Sequence, residues 1–256
     1  LINFDIRSAL DVFKVDKIIE IFKYLLYETK MIFFSENIVS LTNVIFSFVE
    51  LLFPFKYQFQ ISSILPQSFY VFVENVAPFI FGLNEAFKPP FFKDNDISMK
   101  NLDIVVVDID KGTVDLYSSS KKLNQDFPEI PKTYRKQLED SLKKARKKSD
   151  SNTAEIQEIF LNFMISILEL YPKYLQHDYV ACHETNEVSS LINLSSYLSA
   201  VGSGEKEFYQ KIFSTQMFIE FMFKRMMPKD SYDKLDLIFF EEKINEKMQK
   251  KKIFAK

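Results

Sequence analysis

A run of β-branched residues, Ile104 to Val107, leads into Asp108-Ile109-Asp110-Lys111-Gly112. A strand that ends on two aspartates can offer a carboxylate nucleophile with an acid beside it, as in phosphatase chemistry. That chemistry expects Thr or Val two positions past the second aspartate. Gly112 stands there instead, and the loops such a site needs have no counterpart in the chain. A calcium loop fails as well, because Gly112 replaces a ligand and no Glu occupies the twelfth position. The two aspartates therefore read as polar residues leading into a hairpin turn.

The second cluster with chemical potential is Tyr174-Leu-Gln-His177-Asp178-Tyr-Val-Ala-Cys182-His183-Glu184. His177, Cys182 and His183, with Asp178 or Glu184, amount at most to a three-ligand metal set. Side chains adjacent in sequence, such as Cys182 and His183, diverge on most backbones, so a Cys-His nucleophilic pair is not expected. The segment reads as a loop or cap with a buried cysteine, and no metal or cofactor site is assigned. Two histidines in one short loop give no basis for a Ser-His-Asp triad. One cysteine allows no internal disulfide and no CxxC zinc ribbon, which fits a reducing compartment.

Glycine use excludes another class. Four glycines, Gly82, Gly112, Gly202 and Gly204, cannot build the loops that bring backbone amides close to phosphates. Gly202-Ser203-Gly204 reads as a connection between helices. With 47% hydrophobic residues and a net charge of −2, the 256-residue chain is neither disordered nor a polybasic nucleic-acid arm. The basic runs Lys143 to Lys148 and Lys247 to Lys252 have acids nearby and read as solvated helix faces, with at most peripheral membrane contact.

These groups must be held by elements that the hydrophobic pattern predicts. Ser8 to Glu28 repeats apolar residues at helical spacing, with Asp5 or Ser8 as cap. Lys30 to Ser35 is a continuous apolar run and predicts a buried strand. Ser35 to Phe53 predicts a helix capped by Ser35 or Asn37 and closed by Pro54. Between Asn37 and Leu83 the only charges are Glu50, Lys56 and Glu74, but Pro54, Pro66 and Pro78 divide the stretch, so it predicts core elements and not a membrane span. Phe59 to Leu65 predicts a strand, Gln67 to Asn75 a short helix and Ala77 to Leu83 a third strand. A strand over Asn101–Asp110 turns at Lys111-Gly112 into an antiparallel return, Thr113 to Ser119. Helices are expected over 128–148, 154–172, 184–199, 205–213, 214–227 and 229–250. The fold expected is α/β, a mostly parallel sheet with helices on both faces and a hairpin, followed by an all-helical C-terminal region. The expected boundary separates 1–125 from 126–256.

Residues 24 to 83 carry an ordered set of fixed positions: Leu25, Leu26, Glu28, an apolar strand to Ser35, Leu41-Thr42, Leu51-Leu52, Pro54-Phe55, Leu65-Pro66, Pro78-Phe79 and Gly82. In that order they resemble the central region of DENN domains, and Val107-Asp108-Ile109-Asp110 is similar to the family's following strand and turn. Tyr57 stands where the family usually has Trp, and Ile109 where Leu is common. The family's N-terminal longin-like lobe has no counterpart in the chain, which opens on Leu1 and so reads as a fragment. DENN proteins are typically guanine-nucleotide exchange factors for Rab GTPases. The resemblance therefore implies a cytoplasmic protein, recruited to vesicle or organelle membranes, that binds a Rab GTPase and promotes GDP release without chemical catalysis. It implies no cofactor and no nucleic acid, and it makes the longin-like lobe a second expected partner. The alternative it leaves open is a Rab-binding scaffold without exchange activity. Asp108, Asp110 and Lys111, at a strand end within a partner's reach, are the expected contacts.

Overall fold

Asn37 opens the longest helix of the N-terminal half because its side-chain oxygen accepts from the N–H groups of Val39 and Ser40, 2.9 and 3.1 Å away. The same logic starts the chain's first helix, where Asp5 accepts from the Ser8 N–H. The computed structural model describes residues 4–87, 103–118, 126–148, 152–176, 191–226 and 230–254. The His177 to Glu184 cluster lies outside them.

The expected helix over Ser8 to Glu28 is in fact two, α1 (Ile6–Asp11) and α2 (Val15–Leu26). The break has a cause far along the chain. The Arg146 guanidinium donates to the carbonyls of Leu10, at 2.6 Å, and Phe13. Those acceptors are satisfied without the next helical turn, and Phe13 is free to turn into the core. Arg146 thus leaves the solvated basic run to which its neighbours belong.

Strand β1 (Lys30–Ser35) is followed by α3 (Ile38–Glu50), β2 (Gln60–Ser62), a 3₁₀ helix at Gln67–Glu74, and β3 (Phe79–Asn84). The hairpin follows as β4 (Ile104–Asp108) and β5 (Thr113–Tyr117). The sheet order is β2-β3-β1-β4-β5, parallel throughout except for β4 with β5. The α/β expectation and its hairpin therefore hold. Gly82 shows why one motif position is fixed. A Cβ there would lie 2.1 Å from the Ser63 carbonyl oxygen, because the chain entering Leu65 crosses directly over β3.

One sheet face, with Met31, Phe33, Ile80, Val105 and Val107, packs into a cluster with α2 and α3. The other, with Ile32, Phe34, Phe79, Phe81 and Val106, is met by Leu65 and Val73. The C-terminal helices are α4 (Lys132–Lys147), α5 (Thr153–Leu168), α6 (Leu194–Ala200), α7 (Lys206–Phe213), α8 (Gln216–Met226) and α9 (Ser231–Phe254). Helix α5 stops short of the expected residue 172, where Pro172 sits inside a 3₁₀ turn at Tyr171–Tyr174. Gly202-Ser203-Gly204 joins α6 to α7 as expected. The α2–α3 cluster runs on through Phe160, Tyr197, Phe213, Phe218 and Phe240, so both halves share one core. None of the described helices is long and apolar enough to cross a membrane.

Candidate functional site

In a parallel sheet, side chains converge beyond the carboxyl ends of strands where neighbouring connections leave in opposite directions. Here β1 is that strand. The chain leaves it for β2 and β3 on one side, and β4 lies on the other. Register sets Ser35 beside Asn84 and Phe34 beside Asp108, so the three strand ends are level.

A bonded rim fills this edge. The Ser35 hydroxyl donates to Asp110 Oδ1 at 2.8 Å, and the Glu36 N–H donates to Asp110 Oδ2 at 2.7 Å. Ser35 Oγ also accepts from the Asn37 N–H, and Asn84 Nδ2 donates to the Glu36 carbonyl at 3.0 Å. Asp110 thereby ties the β4–β5 turn to the start of α3. Asp108 is buried and works within its own turn, accepting from the Lys111 N–H at 3.0 Å and from Lys111 Nζ at 2.8 Å. The ammonium also lies 3.4 Å from Glu85 Oε1. The Asp108 hydrogen bond, its negative charge and that of Glu85 raise the Lys111 pKa above its ordinary value. Gly112, at φ +63°, closes the turn in a conformation that favours glycine.

The three residues expected from the sequence are thus brought together, with different exposures. Asp108 is enclosed and fixes Lys111, whereas Asp110 and Lys111 reach the surface. Ile38 and Val39, three and four residues on from the Ser35 that Asp110 holds, are exposed in the first turn of α3, with Val39 76% accessible. Sequence periodicity gave no signal for this, since both residues continue an apolar run. The arrangement supplies no supported nucleophile, and among the described residues no cluster of His, Cys, Asp or Glu is placed to hold a metal. It does form a rigid rim of mixed charge beside an apolar step, the composition of a protein-docking surface.

A second arrangement escaped the sequence reading. Glu28 sits in the left-handed region at φ 52°, closing α2 at the position where helices usually carry glycine. Its carboxylate oxygens accept from the N–H groups of Gln216 and Met217, each at 2.7 Å. A side chain from the sheet half therefore caps α8 in the helical half. Burial raises the Glu28 pKa, opposed by those two bonds and the charge of Lys211. Its place in the ordered motif has a physical reason.

Residues 1–112 match the family model described as DENN (AEX-3) domain, which takes in the whole of the stretch that carried the resemblance. The chain is 24% identical over 262 residues to DENN domain-containing protein 3 of Mus musculus, across 93% of this chain and 19% of that protein. It is 22% identical over 254 residues to DENN domain-containing protein 2D of Homo sapiens, across 97% of this chain and 50% of that protein. Over 134 residues, 52% of the chain, it is 27% identical to elicitor of plant defense protein 1 of Verticillium dahliae, of which it covers 10%. The chain spans half or less of the length of these curated relatives.

Proposed function

We propose, with the DENN match of residues 1–112 as premise, that the chain is part of an exchange factor that binds a Rab-type GTPase and promotes release of its GDP. Such a protein needs no general acid or nucleophile. It binds the nucleotide-free GTPase more tightly than the loaded one, and this difference in affinity lowers the affinity for GDP by the same factor. The observation that carries the reading is the rim of Asp110 and Lys111 beside exposed Ile38 and Val39. Switch regions of a GTPase reorder with the nucleotide, and a rigid partner surface selects one of their arrangements.

In this reading Asp110 and Lys111 make polar contacts, Ile38 and Val39 supply the apolar contact, and Asp108 holds Lys111 in place. Residues 1–125 and 126–256 act as one lobe in the cytoplasm, at the surface of trafficking membranes, alongside a longin-like lobe. The test is release of fluorescent GDP from a panel of Rab GTPases, with this chain and with a version extended upstream. Faster release from one Rab, lost in Val39→Asp and Lys111→Glu, is the expected result. Binding without release across the panel favours the scaffold reading, and no binding by either form overturns both.

A further inference from the structure

Among the described residues, the rim past the end of β1 carries four carboxylates, and the chain uses three of them itself. Asp108 and Glu85 face the Lys111 ammonium, at 2.8 and 3.4 Å, and Asp110 accepts from the Ser35 hydroxyl and the Glu36 N–H. Glu36 carries the fourth. Its side chain is exposed and, among the described residues, has no hydrogen-bond or ion-pair partner. Its position in the sequence draws no notice, because an acid just ahead of a helix is ordinary.

The backbone of Glu36 is held on both sides. Its N–H donates to Asp110 Oδ2 at 2.7 Å, and its carbonyl accepts from Asn84 Nδ2 at 3.0 Å. One clamp comes from the turn after β4 and the other from the last residue of β3, the two neighbours of β1. They act on the two peptide groups that flank one Cα, so they hold the backbone dihedrals of Glu36 and with them the direction of its Cβ. The next residues add no slack, since Ser35 is buried and the Asn37 side chain is committed to capping α3. A carboxylate aimed in this way, just past the central strand, stands where open parallel sheets meet their ligands.

We infer that Glu36 is a specificity-determining contact of the proposed GTPase surface and pairs with a basic side chain, lysine or arginine, of the GTPase. The inference rests on the exchange-factor reading. The sign of the partner charge follows from the rest of the rim, where Lys111 is engaged by Asp108 and Glu85 and the uncommitted charge is negative. A carboxylate already held in direction gives up only side-chain rotamers on pairing. Once covered by a partner it rewards a cation and penalises an acid. A GTPase with a neutral or acidic residue opposite Glu36 therefore binds less tightly.

The test takes the Rab that responds to the chain or to its upstream-extended form and measures binding of the nucleotide-free GTPase by titration calorimetry. Glu36→Gln is expected to weaken binding several-fold and Glu36→Lys by roughly tenfold or more. Thermal melts of both variants stay near that of the parent, because the side chain is exposed. Lysines and arginines of the GTPase switch regions are then reversed to glutamate one at a time. One reversal is expected to weaken binding to the parent and to restore binding to Glu36→Lys. Asn84→Ala frees the Glu36 carbonyl without changing its charge, and in that background the effect of Glu36→Gln shrinks. Undiminished binding by Glu36→Lys overturns the inference, and if Val39→Asp and Lys111→Glu still abolish binding the exchange surface stands without it. A weakened Glu36→Lys that no reversal restores also overturns it, and binding to no GTPase overturns both readings.

Discussion

Asp110 and Glu28 do the same thing in different surroundings. Each carboxylate accepts two hydrogen bonds from the start of a helix or the segment leading into it, Asp110 from Ser35 and Glu36 and Glu28 from Gln216 and Met217. Asp110 is exposed, and water can replace either donor. Glu28 is buried, and nothing replaces it without leaving N–H groups unsatisfied. The exposed carboxylate shapes a surface, whereas the buried one joins two halves of the molecule.

Glu28→Ala gives the sharpest contrast, with an expected loss of about 2–4 kcal/mol in urea unfolding. It removes both acceptors and leaves an alanine in left-handed backbone. Glu28→Gly loses the same acceptors but accommodates φ 52°, so its loss is expected to be smaller by about 1 kcal/mol. If the two variants unfold alike, the backbone conformation carries no cost and the carboxylate accounts for the whole effect.

Burial also gives Glu28 a pH signature. The Glu28 pKa is raised in the folded chain above its ordinary 4.5, so the stability linked to this group is fully present below 4.5 and falls as pH rises through the folded value. Glu28→Gln has no such proton to lose. The stability of the parent relative to Glu28→Gln is therefore expected to decline as pH rises from 4.5 toward neutrality. A flat difference in pH-dependent urea midpoints would show that Glu28 titrates as in the unfolded chain.

At the exposed rim, Asp110→Ala is expected to cost only about 1 kcal/mol, read by thermal melting, while loosening the turn beside α3. Lys111→Glu takes the ammonium away from buried Asp108 and sets a further carboxylate near Glu85, so a small loss of stability is expected in the same thermal melt, below that of Glu28→Ala. Under the proposed function, its larger effect is expected on GTPase binding. A large stability loss in either variant would erase the distinction between a surface-shaping and a joining carboxylate.

The sequence made most of the sheet legible because Lys30 to Ser35 and Ile104 to Val107 are apolar runs bounded by turns, and Lys111-Gly112 announces a hairpin. The break between α1 and α2 was not legible, since the donor that permits it, Arg146, lies more than a hundred residues away in a run that looks solvated. Asp108, Asp110 and Lys111 were found together by spacing. Spacing could not show that Asp108 is enclosed and Asp110 is not. The role of Glu28 had one faint signal, a glutamate at a helix end where glycine is usual. Its partners at 216 and 217 are set by tertiary packing, and no local pattern reports them.

The central position of β1 also bears on how the chain reaches its fold. Both its neighbours come later in sequence, β3 pairing Ile32 with Phe81 and β4 pairing Ile32 with Val106. Until both arrive, Met31-Ile32-Phe33-Phe34 carries two open strand edges and four large apolar side chains, a segment suited to intermolecular pairing. During synthesis the nascent chain must therefore protect this strand while more than seventy further residues emerge. A version ending before residue 104 is expected to accumulate in inclusion bodies, and coexpressed chaperones should raise the soluble yield of the whole chain.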